Sequence, residues 1–350
     1  NEGTHYKYHD ELEYASEAEK WLQMAATESD KLITSGRYEI YNTGHPQEDY
    51  FNMYRIDDKS DLKEAVLYVD YKTNIREHNM AAAGREAGCG FSKSFVESFL
   101  CSDGLPISLS NKYLGDETMR KETANRDPRL KQLILTNDFP TNVTDDLKDS
   151  TFVVNEDEFI TQHCFTGYRP IKGFNPIYSQ ALYMKSSFDG IAYRYAETLL
   201  INAEAKAELN TITNADLDRT VNQLRDRVGM PHLTVNVGFT DPKWPDWGYS
   251  LSPVLQEIRR ERCIELAGEG FRFNDLKRWK AGKLLNNVLT YVGKRKPDGN
   301  LAIVYPNYTN PDLSYQAGKS RTWEDKMYLY PIPTGELQRN PQLLPQNPGW

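Results

Sequence analysis

Two apolar stripes at helical spacing, separated by a turn too short for anything but an antiparallel return, constrain this chain more than any other feature. Over Ile191–Leu209 the residues Ala192, Ala196, Leu199, Leu200, Ala203 and Ala207 share one helical face, and their small size lets another helix approach closely. Asn214 is placed to cap a second helix, in which Leu217, Val221, Leu224 and Val228 step by four, three and four before Gly229 and Pro231 end it. Such a pair is one unit of a helical repeat. A second pair follows: a helix over about Ser252–Leu266 with Leu251, Val254, Leu255, Ile258 and Leu266 on its stripe, then a shorter one over about Phe273–Ala281, past Gly268 and Gly270. Near the start, Glu13–Ile33 carries the stripe Ala18, Leu22, Ala25, Ser29 and Leu32, with Gly36 as its stop.

The stripe of the Ser252–Leu266 helix also contains Arg262 and Glu265. An unpaired buried charge costs several kcal/mol, so an ion-pair cluster drawn from Arg259, Glu261, Arg262 and Glu265 is expected there. Between Tyr38 and Gly190 the periodicity fades into short apolar bursts such as Ala65–Val69, set among Gly, Asn, Asp and Pro. That stretch is too long for a linker, and its aromatic residues point to an ordered, functional region. From Tyr291 onward Pro, Gly and Asn accumulate, as in an extended tail laid over a body. The reading is a mainly α chain of tetratricopeptide-like helix pairs, without a clean period of about 34 residues. Its parts are a scaffold portion at 1–36, a loop-rich ligand-binding portion at 37–190, more scaffold at 191–290 and a Pro-rich C-terminal segment at 291–350.

Net charge of −8 argues against a phosphate-backbone binder, which needs a dense basic face. Apolar residues at 39% with 26% charged and a mean hydropathy of −0.69 fit a folded chain with a well-solvated surface. Cys89, Cys101, Cys164 and Cys263 show neither metal-ligand spacing nor a disulfide framework. No run of about 18 apolar residues marks a membrane helix. Gly84, Gly88 and Gly90 ahead of Lys93 and Ser94 lack the Gly-Lys adjacency of a phosphate loop. His5 and His9 have zinc-like spacing but no third ligand, and His45, His163 and His232 stand alone, so no metal, cofactor or catalytic triad is expected. Asp145-Asp146 and Glu156-Asp157-Glu158 read as solvated turns.

Three stretches together resemble the SusD/RagB family. They are Tyr193-Arg194-Tyr195-Ala196-Glu197-Thr198-Leu199-Leu200 with Ala203-Glu204-Ala205; Glu257-Ile258-Arg259-Arg260-Glu261-Arg262 through Glu265-Leu266 and Glu269-Gly270-Phe271-Arg272 to Asp275-Leu276-Lys277-Arg278-Trp279; and Tyr330-Pro331-Ile332-Pro333 with Asn340-Pro341 and Gln346-Asn347-Pro348-Gly349-Trp350. Upstream, Phe99–Ile107 and Arg126-Asp127-Pro128-Arg129-Leu130 match in the same order. The resemblance implies a non-catalytic outer-membrane lipoprotein that binds oligosaccharide or polysaccharide at the cell surface and serves a SusC-like TonB-dependent transporter. Family members carry a leader, a lipid-anchoring cysteine and further helices ahead of the point where this chain begins, so a truncated N-terminus is expected, with membrane attachment only through an anchor outside it.

Sugars present C–H faces that stack on aromatic rings and hydroxyls that seek polar partners, and the chain holds 22 Tyr, 13 Phe and 6 Trp. The stacking candidates are Tyr113, Tyr168, Phe174, Tyr178, Trp244, Trp247, Tyr249, Tyr305, Tyr308, Tyr315 and Trp323, with Arg76, His78, Asn79 and Met80 as neighbours lining a ligand surface. Two other readings stand beside this one. The first is a helical-repeat scaffold for protein or peptide, and the second is a glycoside hydrolase, whose mark would be a carboxylate pair in the same cleft as the rings.

Overall fold

A computed structural model describes residues 2–9, 17–81, 90–137, 142–143, 149–150, 164, 166–290, 292–303 and 322–350. The body is mostly helical. After α1 (Glu2–Tyr8) and α2 (Ala18–Thr34), β1 (Ala65–Val69) pairs antiparallel with β2 (Gly190–Arg194), which runs without a loop into α3 (Tyr195–Glu208). Then come α4 (Asn214–Asp218), α5 (Val221–Arg227), α6 (Pro253–Glu265) and α7 (Phe271–Arg278), and a second ribbon of β3 (Val292–Arg295) and β4 (Leu301–Ile303). The central helix α3 packs along α2 and against α6, and α1 crosses α2 and α7. One apolar core joins Ala196, Leu199, Leu200 and Ala203 to Leu217, Val221 and Leu224 and to Val254, Leu255 and Ile258. A second core, around Tyr50, Phe99, Leu130, Leu133, Tyr168 and Phe174, lies under the irregular middle of the chain.

Several boundaries differ from the sequence reading, each for a local reason. Residues 190–194 are strand, not the first turn of a helix, because they pair with β1 (Tyr193 opposite Leu67, Ile191 opposite Tyr68); Ala192 is consequently exposed. Thr213, not Asn214, caps α4: its hydroxyl accepts from the Asp216 backbone N–H (3.1 Å), while the Asp216 carboxylate accepts from the Thr213 N–H (3.0 Å). Asn214 instead accepts from the Val235 N–H (2.8 Å). The run breaks at Thr220 into α4 and α5, yet Leu217, Val221, Leu224 and Val228 all remain buried. In α2 the buried alanine is Ala26 in place of Ala25. The last segment is not wholly extended, since Thr334–Arg339 is helical and the Trp350 indole N–H reaches back to the carbonyls of Lys326 and Leu329 (2.9 and 3.0 Å).

The charged stripe of α6 is buried, but its partners come from other elements. Glu265 accepts from Arg129 Nη1 (2.9 Å), Arg194 Nη1 (2.6 Å) and Arg227 Nη2 (2.6 Å), and Glu64 shares the last two. Glu261 pairs with Arg129 and Arg225 (3.1 Å to the latter). Arg259 pairs with Glu208 (2.8 Å), and Arg262 with Asp275 (2.9 Å). The four therefore do not neutralise one another: together they stitch α6 to α3, α5, α7, Arg129 and Arg194, and charge-assisted bonds of this kind fix the register of helices whose apolar faces alone would allow sliding.

One glycine fixes how the β3–β4 ribbon meets the middle region. A Cβ added at Gly293 would land on the Thr166 backbone, which cannot rotate away as a side chain could. The Lys294 N–H donates to the Thr166 carbonyl (2.8 Å), so the two chains run in direct contact there. Gly293→Ala is expected to cost about 1–3 kcal/mol through overpacking, read as a lowered urea midpoint with α-helical circular dichroism retained. A midpoint equal to wild type would show that the ribbon can shift freely.

Candidate ligand-binding surface

The irregular middle is held together by hydrogen bonds that converge on the buried Asp189. Its Oδ1 accepts from the Tyr71 N–H (2.8 Å), its Oδ2 from the Lys59 N–H (3.0 Å), and its carbonyl from the Lys59 ammonium (2.5 Å), which also donates to the Ile56 carbonyl (2.6 Å). Burial pushes Lys59 down to about 8, opposed by Asp189 and Asp57. From this anchor the segment 71–80 runs beside 178–187: the backbones of His78 and Ser186 exchange hydrogen bonds (2.8 and 3.1 Å), Asn79 Oδ1 accepts from the Met184 N–H (3.0 Å), and the Gln180 side chain closes on Ser187.

Four of the sequence candidates lie on these two adjoining segments: Arg76, His78, Asn79 and Tyr178. His78 is a support, because its Nε2 faces the Phe188 carbonyl (2.8 Å) and its Nδ1 the Met80 N–H (3.1 Å), which together require a neutral ring protonated on Nε2. Burial lowers its pKa, as that tautomer requires. Its faces are covered by Tyr71 and Phe188, both edge-on. Arg76 lies over Tyr71 (4.9 Å) with its guanidinium unpaired among the described residues. Around them the surface is apolar and open: Tyr178 is 55% exposed and Tyr183 73%, flanked by the exposed side chains of Met80, Leu182 and Met184. Among the described residues neither tyrosine hydroxyl has a hydrogen-bond partner. Tyr183 was missed by the sequence reading, although Ala181-Leu182-Tyr183-Met184 is an apolar run with no periodicity, which in a loop is itself a signal.

The other candidates lie elsewhere. Tyr168 is wholly buried, its hydroxyl on Glu122 (2.8 Å) beside Lys93, and Phe174 is a core residue of the same cluster; both went inside because the middle region needs its own core. Tyr113 is half-buried under Arg126 (5.3 Å), and burial, then Glu122, raises its phenol. Trp323 packs against Phe273 and Tyr328 over Gly282. Tyr249 stacks on Tyr8 (4.3 Å), and its hydroxyl accepts from Arg259 (3.0 Å). Trp244 and Trp247 line a separate cleft. Tyr305, Tyr308 and Tyr315 lie outside the described residues. His9 is buried against the Lys277 carbonyl (2.9 Å) and stacked on His5, a packing role. Among the described residues no cluster of His, Cys, Asp and Glu suits a metal ion, and no helix is long and apolar enough to cross a membrane.

The SusD family model matches residues 29–350. The chain belongs to the SusD family. SusD-like protein P2 of Formosa agariphila is 33% identical over 166 residues, which is 47% of this chain and 27% of that protein. Among solved structures, a SusD-like protein of Bacteroides fragilis superposes with a TM-score of 0.63 at 24% identity, covering 95% of this chain and 62% of its own. A SusD-like carbohydrate-binding protein of the same organism gives 0.63 at 22% identity, covering 93% and 61%. The chain thus spans under two thirds of the length of these SusD-family relatives, and the likeness to the two structures establishes the shared fold.

Proposed function

We propose that the chain is a non-catalytic glycan receptor of the cell surface, which captures oligosaccharide or polysaccharide segments and passes them to a SusC-like TonB-dependent transporter in the outer membrane. The observation that carries this reading is the pair of exposed tyrosines, Tyr178 and Tyr183, on a turn fixed from behind by the bonds of Ser186 and Ser187 to Gln180. Rings presented this way stack on pyranose faces, while the Arg76 guanidinium and the Asn79 amide N–H offer donors to hydroxyls. That a SusD-like relative is described as carbohydrate-binding supports the ligand class.

The hydrolase reading requires a carboxylate pair free to exchange protons in a cleft with aromatic rings. Glu97, Asp241 and Asp246 line the cleft of Trp244 and Trp247, but Glu97 and Asp241 are each occupied by a cation, Lys243 (3.2 Å) and Arg260 (2.6 Å) respectively, which leaves Asp246 without a second free carboxylate and favours binding without turnover. Calorimetric titration against a panel of linear and branched oligosaccharides, paired with a reducing-end assay, tests the proposal. Saturable heat with no new reducing ends is expected. Released product would make the chain an enzyme, and silence across the panel would favour a scaffold for protein or peptide.

A further inference from the structure

A cleft of about 590 Å³ opens between the helix Lys93–Ser98, the loop Asp241–Trp247, α6 and the turns at 283–290. It shares no residue with the tyrosine surface. Its size lies within the range of about 300–1,000 Å³ usual for small-molecule sites.

Two features show what it is built to hold. First, both tryptophan rings on its wall are locked by their edges: Trp244 Nε1 donates to Glu257 Oε1 (2.7 Å) and Trp247 Nε1 to Gln256 Oε1 (2.7 Å). Trp247 is backed by Trp279, edge-on at 5.5 Å, and by the Arg259 guanidinium at 4.7 Å, so neither ring needs a ligand to hold it in place. Second, most charges on the walls are already matched, and the exception is a carboxylate: Asp246 meets no cation among the described residues and accepts only from the Gly248 N–H (2.9 Å). Glu97 meets Lys243, Asp241 meets Arg260, and the buried Arg259 meets Glu208 (2.8 Å). An anionic ligand would enter against Asp246 with the nearby cations already paired, whereas uncharged hydroxyls find Ser94, Gln256, Asn287 and Thr290 on the rim and walls and the Asp246 carboxylate as an acceptor. Fixed indoles beside neutral polar groups, paired cations and one acceptor carboxylate describe a receptor for an uncharged pyranose.

We infer that this cleft is a second carbohydrate site, taking an uncharged sugar residue against Trp244 independently of Tyr178 and Tyr183. The inference rests on the glycan-binding reading above and deepens it. Two sites on one chain would hold a long polymer by two grips, raising avidity without new contacts at either.

The test uses the full chain labelled with 5-fluorotryptophan, in which the Trp244 ¹⁹F resonance is assigned from Trp244→Phe. Neutral oligosaccharides bound by wild type in calorimetry are titrated into the Tyr178→Ala/Tyr183→Ala protein. The Trp244 resonance is expected to shift saturably with one equivalent of ligand, and Ser94→Trp, which fills the cleft from the opposite helix, is expected to weaken that shift at least tenfold while leaving the tyrosine surface intact. Wild-type binding with an unmoved Trp244 resonance overturns the cleft site alone. Absence of glycan binding by wild type overturns the glycan reading and the cleft with it. Should Ser94→Trp fail to fold, Thr290→Trp fills the same cleft from the other wall.

Discussion

Glu265→Ala is expected to leave the chain barely folded. Three guanidinium groups converge on this one carboxylate, and Glu265, Arg129, Arg194 and Arg227 are all essentially without solvent contact. Breaking one buried pair costs about 3–5 kcal/mol because the remaining charge is stranded. Here Glu64, Glu261 and Asp127 compensate only part of the loss, against a total stability of about 5–15 kcal/mol for an ordinary domain. Urea unfolding followed by circular dichroism should show a loss of at least about 4 kcal/mol or no folded protein at all, and Glu265→Gln should lose less. A Glu265→Ala midpoint matching wild type would mean that the network is ornamental. Acid should reproduce the effect. Burial alone would raise the Glu265 carboxyl, but Arg227, Arg194 and Arg129 outweigh it and hold it well below the usual range, as Arg278 does for Glu204 and Arg194 for Glu269, both at about 2. Because these folded-state values are depressed, their stabilisation is complete above the ordinary value of about 4.5 and drains away as pH falls toward about 2.

Tyr178→Ala/Tyr183→Ala is expected to weaken glycan binding by roughly 30- to 150-fold, from about 2–3 kcal/mol of lost stacking and apolar contact shared between two exposed rings. Since both side chains reach into solvent, thermal stability should stay within about 0.5 kcal/mol of wild type. Calorimetry on the strongest panel ligand separates the outcomes. Unchanged affinity with unchanged melting would move the site off this surface, and a fall in both would mean that the rings support the fold. Phenylalanine at both positions should retain most of the affinity, because the stacking face persists and only the hydroxyl is lost.

How much of this was legible beforehand depended on whether neighbours along the chain or across it decide the outcome. The stripes of α3, α5 and α6 were readable because an apolar residue every third or fourth position has one solution, and Ala196, Leu199, Val221 and Ile258 are all buried as their spacing requires. The stretch 190–194 was not, because Gly-Ile-Ala-Tyr-Arg suits helix or strand, and the deciding partner, β1, lies more than a hundred residues away. The charges of α6 could be known to need partners, while the identity of Arg129, Arg194 and Arg227 was a tertiary fact. The same limit governed the surface. An aromatic residue in an irregular region looks identical whether it ends as Tyr168, sealed over Glu122, or as Tyr178, facing water.

The uninterrupted passage from Asp189 through β2 into α3 has a mechanical consequence. The turn that carries the tyrosines runs directly into Asp189, which is anchored on Lys59 and Tyr71, and five residues later Arg194 is bolted to Glu265 in the middle of the frame. Tension from a long polymer tugging at that turn would run along the strand into a helix clamped on several sides, so the chain would resist drag as a stiff bracket and not peel away as a tether.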